Sequence, residues 1–221
     1  MHLNFIIVFL GLSMFLIYFC KSKNLFVDYK LEKHKRYSTH QKSYSIGGLL
    51  LIFYMIYNFG YISKNYLLLI FLISIFTLGL LSDLKRLNSV SLRFFLQIII
   101  IFFSIAFLNI EINETRIELF DKILQNKVIN IFFVIFCMMV LINGGNFIDG
   151  LNGLLLTYFL VVFLIISLNF SDFHFVDKEF LINLITVLSI ILVLNILGFL
   201  YMGDSGAYLL SFIAGYYLIE F

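Results

Sequence analysis

Apolar residues in this chain come in long unbroken runs, each ended by charge or by a cluster of Asn and Gly. A helix of about 20 apolar residues crosses the hydrocarbon core of a bilayer, and such runs are the primary signal for membrane spans. Eight segments fit: Leu3–Cys20, Ser45–Ile62, Tyr66–Ser82, Phe94–Leu108, Val128–Ile142, Leu151–Phe170, Phe180–Phe199 and Gly206–Ile219. Several are short for a full crossing, so they extend into neighbouring polar residues or suit a thin bilayer. The first run is a span and not a signal peptide, because no Lys or Arg precedes it and no small-residue cleavage site follows. The pattern predicts an all-α fold, a polytopic bundle in which residues 1–221 form one transmembrane domain.

Composition sharpens the picture. Of the 221 residues, 62% are hydrophobic and 13% charged, and none is proline; a soluble domain runs about 45–50% apolar and about 25% charged. A water-soluble fold is excluded, and eight spans leave no room for a soluble domain. The net charge of +2 argues against a nucleic-acid partner. Cys20 and Cys137 both sit inside apolar runs without metal-ligand spacing, which suits packing better than a disulfide.

Charge placement sets an orientation, since Lys and Arg stay on the cytoplasmic side. The connections after spans one, three, five and seven hold Lys21, Lys23, Lys30, Lys33, Lys35, Arg36, Lys42, Lys85, Arg86 and Arg93. The opposite set holds Lys64, Arg116, Lys122, Lys127 and Lys178, so ten of the 15 basic residues share one side. Both termini are then periplasmic. The first connection, with His34, His40 and most of these cations, reads equally as a partner-binding loop.

Three acids remain at cytoplasmic ends of spans: Asp83, Asp149 and Asp204. Carboxylates at the edge of hydrocarbon are costly and mark functional sites by default. Asn143, Asn146, Asp149 and Asn152 recur every third residue among Gly144, Gly145, Gly150 and Gly153. On a helix they would form one polar stripe beside which bulk has been removed. Amides present donor and acceptor together, as a nucleobase or an acetamido sugar requires. The alternative is a glycine-rich turn capped by Asn and Asp. Asp204 and Ser205 open the last span, either as its N-cap or beside a helix N-terminus that takes an anion. A carboxylate there can also hold Mg2+ for a pyrophosphate, and Asn195 lies near enough in sequence to join. Lys85 and Arg86 after Asp83 serve as a topology anchor or a phosphate contact.

Three segments together resemble the polyprenyl-phosphate N-acetylhexosamine-1-phosphate transferases, glycosyltransferase family 4. Gly79-Leu-Leu-Ser82-Asp83 is similar to the family's aspartate-pair segment, Asn143–Leu154 to its Asn-x-x-Asn-x-x-Asp-Gly motif, and Phe199–Phe212 to its Phe-Met-Gly-Asp-Ser-Gly segment; Gly47-Gly48 resembles a further glycine pair. The resemblance implies Mg2+-dependent (or Mn2+-dependent) transfer of a sugar 1-phosphate from a UDP-N-acetylhexosamine to undecaprenyl or another polyprenyl phosphate, releasing UMP. That reaction starts cell-envelope glycan synthesis at the bacterial inner membrane. By position, Asp204 would hold the metal and Asp83 would assist the lipid phosphate. Asp149 would act at the nucleotide pocket, with Asn152 and Asn195 lining it and Asn143 and Asn146 shaping it.

The sequence departs from the family in three places. Ser82 stands where the family has the first aspartate of its pair, and Ala207 replaces a common serine. The chain also ends soon after the third motif, where the family continues with further spans and a His- and Arg-rich loop. It therefore reads as C-terminally truncated, with a complementing C-terminal fragment or a second copy of the chain as candidate partners. Competing readings are an inactive fragment, a transporter, or an intramembrane protease built on Gly203-Asp204-Ser205-Gly206. For the protease, His2, His34, His40 and His174 all lie outside the apolar runs, which leaves a serine without its base. A topology reporter fused after Phe221 in a bacterial host is expected to read as periplasmic; a cytoplasmic reading would remove one crossing, first of all the short eighth.

Overall fold

A computed structural model describes residues 3–29, 42–58, 66–150, 152–169 and 175–220. The described residues form nine helices: α1 (Leu3–Lys23), α2 (Gly47–Tyr57), α3 (Tyr66–Asp83), α4 (Val90–Leu108), α5 (Glu118–Leu124), α6 (Lys127–Ile148), α7 (Leu154–Asn169), α8 (Phe175–Ile196) and α9 (Gly203–Glu220). Helix is the only local answer for a single apolar segment in lipid, because it satisfies every internal backbone group within the segment. Where helices end, polar residues take over. Ser89 and Asn126 accept from the backbone N–H of Leu92 and Val128 at the starts of α4 and α6. Lys21 and Lys23 close α1 at its negative end.

Five described helices, α1, α3, α4, α6 and α8, are long and apolar enough to cross a membrane. Helices α2 and α7 are shorter, and α9 has span length but carries Gly203, Asp204, Ser205, Gly206, Ser211 and Gly215. The chain is an all-α, multi-pass membrane bundle.

Helix α9 is its axis. From Ser205 to Gly215 every residue is buried, and α2, α3, α6 and α7 pack against it. Helix α4 bridges α3 and α6, α8 packs on α7 and reaches α2, and α1 lies outermost. Hydrophobicity does not drive helices together in lipid, so close packing of small residues must. Here Gly79 of α3 lies against the backbone of Asp204 and Ser205, Gly48 of α2 against Ser205 and Gly206, and Gly145 of α6 against the Ser211 hydroxyl. A Cβ at any of these glycines would collide with its neighbour. At the far end, Tyr54 donates to the Phe180 carbonyl at 2.9 Å. Its ring stacks on Phe180, which stacks in turn on Tyr217, tying α2, α8 and α9 together.

Three features depart from the expected spans. The fifth segment does not stop at Ile142 but continues as α6 through Asn143 and Asn146 to Ile148; Asn143 donates back to the Met139 carbonyl within the helix and so does not break it. A short antiparallel ribbon, β1 (Val27–Tyr29) with β2 (Lys42–Tyr44), flanks the first connection. Helix α5 closes the far end, where Asn130 binds the Ile112 and Leu124 carbonyls. Beside it, Asp121 accepts from the Thr115 hydroxyl and N–H, which holds its pKa below the ordinary carboxylate value. The cations Lys30, Lys33, Lys35 and Arg36, and all four histidines, lie outside the described residues.

Because a side chain at position 79 meets helix backbone and not a flexible tip, Gly79→Leu is expected to separate α3 from α9. The loss should exceed the about 1–3 kcal/mol of ordinary overpacking. Gly144, which has nothing within 4 Å of an added Cβ, should accept Ala; thermal unfolding of both variants in detergent checks the contrast.

Candidate active site

The start of α9 is where distant segments meet. A helix leaves its first N–H groups without intrahelical partners, and here carboxylates from two other helices supply them. Asp149, the C-cap of α6, accepts from the Gly203 N–H at 2.9 Å. Asp83, the last residue of α3, accepts from the N–H of Asp204 at 2.8 Å and of Ser205 at 3.0 Å, and from the Ser205 hydroxyl at 2.6 Å. Gly203 makes room for this: its φ of +71° favours glycine, and a Cβ would run into both Asp83 oxygens and Ser45. The chain entering α9 is also gripped by α2. Tyr201 donates its N–H to the Tyr44 carbonyl at 2.8 Å, and Gly47 and Gly48 donate to the Tyr201 and Met202 carbonyls.

Asp204 faces the other way. Its Oδ2 accepts from the Ser82 hydroxyl at 2.5 Å and pairs with Arg93 Nη1 at 2.7 Å, while the same Nη1 reaches Ser82 Oγ at 2.6 Å. Among the described residues nothing donates to its Oδ1, and the side chain is 26% exposed. The buried Tyr208 adjoins Arg93, Asp204 and Asp83.

The structure thus brings Asp83, Asp149 and Asp204 together around one helix end. The asparagines divide. Asn152 accepts from the Tyr201 hydroxyl at 2.6 Å beside this end. Asn195, 2% exposed, gives both ends of its amide to backbone: its oxygen accepts from the Gly153 N–H and its nitrogen donates to the Leu200 carbonyl. Asn143 donates to Gln97 of α4 at 3.1 Å and to the Met139 carbonyl. Asn146 is half-buried and makes no side-chain hydrogen bond among the described residues.

Two expectations change. The four polar residues from Asn143 to Asn152 do not share a stripe, because α6 ends at Ile148 and the chain turns through Gly153, whose φ is +78°. The α9 N-terminus is not an open anion site either, since Asp149 and Asp83 already hold its first three N–H groups. Sequence reasoning placed Arg93 only among the orienting cations. The signal that could have found it is its position one helical turn before Gln97 on an otherwise apolar helix.

With this geometry in place, comparison with known families is decisive. The family model described as Glycosyl transferase family 4 matches residues 65–221. The chain belongs to glycosyl transferase family 4. The match spans α3 to α9 and so contains every residue named at the α9 N-terminus except Tyr44, Ser45, Gly47 and Gly48. Membership makes the chain a membrane-embedded phospho-sugar transferase that uses a polyprenyl phosphate. No curated protein and no solved structure matches.

Among the described residues, three carboxylates and one guanidinium meet in this family 4 site, a donor set that suits a cation. Among the described residues no three His, Cys, Asp or Glu side chains could hold a metal ion by themselves. Mg2+ fits the donor type nonetheless, because it is usually held by one or two carboxylates, with waters and substrate phosphates completing the shell. Among the described residues, Asp204 Oδ1, which accepts no hydrogen bond, would be the oxygen open to such an ion.

These bonds separate stability from chemistry. Asp83→Ala leaves two N–H groups and a hydroxyl without acceptors, at about 1–3 kcal/mol for each unsatisfied group. It should therefore lower the thermal unfolding midpoint in detergent more than Asp204→Asn, which uncaps no helix N–H and keeps an oxygen to accept from Ser82 and Arg93.

Proposed function

We propose that this site transfers N-acetylhexosamine 1-phosphate from a UDP-N-acetylhexosamine to undecaprenyl or a related polyprenyl phosphate, at the cytoplasmic face of a bacterial inner membrane. The product would initiate an envelope glycan. The observation that carries this reading is the convergence of Asp83, Asp149 and Asp204, from three separate motifs, on the first turn of α9.

An oxygen of the lipid phosphate forms a bond to the sugar-bearing phosphorus, the P–O bond to the bridging oxygen breaks, and UMP leaves with the electron pair. Both reactants are anions, so catalysis is chiefly positioning and neutralisation of charge. Asp204 would hold Mg2+, or Mn2+ in its place, through Oδ1. When bound, the ion would screen the diphosphate and stabilise the leaving phosphate. Arg93, on the same carboxylate, is the protein's own cation for a phosphate oxygen. Asp83 and Asp149 keep the α9 end in place, so their contribution passes through Asp204. Asn146 has a free amide for the base or the acetamido group, and Asn152 is oriented by Tyr201. Asn143 and Asn195 position these segments through Gln97 and the Gly153 turn.

The protease reading loses its nucleophile in this arrangement, because Ser205 is fully buried and donates to Asp83. The transferase reading is tested by UMP release from UDP-GlcNAc and other UDP-N-acetylhexosamines in membranes containing polyprenyl phosphate. Release is expected to require both lipid and divalent cation, and to fall about a hundredfold to a thousandfold in Arg93→Gln, the range for removing one electrostatic stabiliser. Lipid-independent release would overturn the assignment.

A further inference from the structure

Ser82, Arg93 and Asp204 form a closed triangle. One guanidinium nitrogen reaches both the serine hydroxyl and the Asp204 carboxylate, and the hydroxyl donates to the same carboxylate oxygen. Arg93 is 20% exposed, and its Nε is buried without a partner. Among the described residues its one ion pair is with Asp204. A charge so placed depends heavily on its partner, since an unpaired ion away from water is strongly unfavourable. Ser82 can share a hydrogen bond with Arg93 but cannot neutralise it.

A divalent ion on Asp204 would share one carboxylate with this guanidinium. Two positive centres a few ångströms apart in poorly screened surroundings repel each other. We propose that Arg93 and the divalent cation compete for Asp204, and that serine at position 82 sets the balance by leaving the guanidinium no second carboxylate among the described residues. The inference rests on the reading of Asp204 as the metal-holding residue. It makes Ser82 a positioning residue: a carboxylate at 82, within reach of the same nitrogen, would hold Arg93 aside and release Asp204. In the present chain the cation enters readily only when Arg93 has another anion to pair with, such as a substrate phosphate.

The test is Mn2+ binding to the purified 221-residue chain in detergent, followed by electron paramagnetic resonance without any nucleotide. Arg93→Gln and Ser82→Asp are each expected to bind Mn2+ about tenfold or more tightly than the parent, the scale of one charged hydrogen bond. Arg86→Gln, which removes a charge three residues after Asp83 that makes no ion pair with Asp204, should change little. Asp204→Asn should abolish the gain in both backgrounds. Ser82→Asp retains Arg93, so a folding defect in Arg93→Gln does not decide the matter. If parent, Arg93→Gln and Ser82→Asp bind equally and Asp204→Asn loses binding, competition is overturned while the metal assignment stands. Equal tightening by Arg86→Gln also overturns it, as an effect of overall charge. Absence of binding in every variant, or full binding in Asp204→Asn, overturns the inference and the metal assignment together.

Discussion

Three backbone amides at the start of α9 need acceptors at the edge of an apolar interior, and Asp83 and Asp149 provide them. Unsatisfied polar groups in such surroundings are costly enough to dictate architecture. Once those two carboxylates cap α9, the ends of α3 and α6 are fixed beside its first turn. The α7 start follows, because Gly153 is held by Asn195. The charge of each carboxylate is balanced in part by the positive end of the helix it caps. Asp83 and Asp149, which look out of place in the sequence, thus serve as caps for a helix from elsewhere in the chain.

A buried central helix imposes a second constraint. Helices α2, α3 and α6 cannot approach α9 closely if both sides of each contact carry bulk, so glycine stands on the neighbour at positions 48, 79 and 145 and on α9 itself at 206 and 215. The tight approach of α3 carries Asp83 into bonding distance of the α9 amides. Packing and capping therefore depend on one another: widening the α3–α9 contact would lengthen the very bonds that locate the site.

The charges that remain decide the chemistry. With the helix amides engaged, the outward-facing groups of the described cluster are Asp204, Ser82 and Arg93. A family 4 phospho-sugar transferase must bring two anions together, and here one guanidinium pairs with Asp204, the carboxylate proposed to hold a metal. On that proposal, an anion for Arg93 and a cation for Asp204 would arrive together.

Apolar runs by themselves determined the all-α membrane fold, because in lipid a lone segment can satisfy its backbone only as a helix. The three motifs also named Asp83, Asp149 and Asp204 as a set, and their places at span ends put them on one side. Other features were settled only by tertiary packing. The sequence shows an amide at 195 and one at 143 but not that the first would close on backbone and the second on Gln97. It shows Arg93 as one cation among 15, although its partner Asp204 lies 111 residues away. It also suggests that the α9 N-terminus is free for an anion. Whether a helix end is open depends on which distant carboxylates the bundle delivers to it, and that is a property of how helices pack and not of any segment read alone.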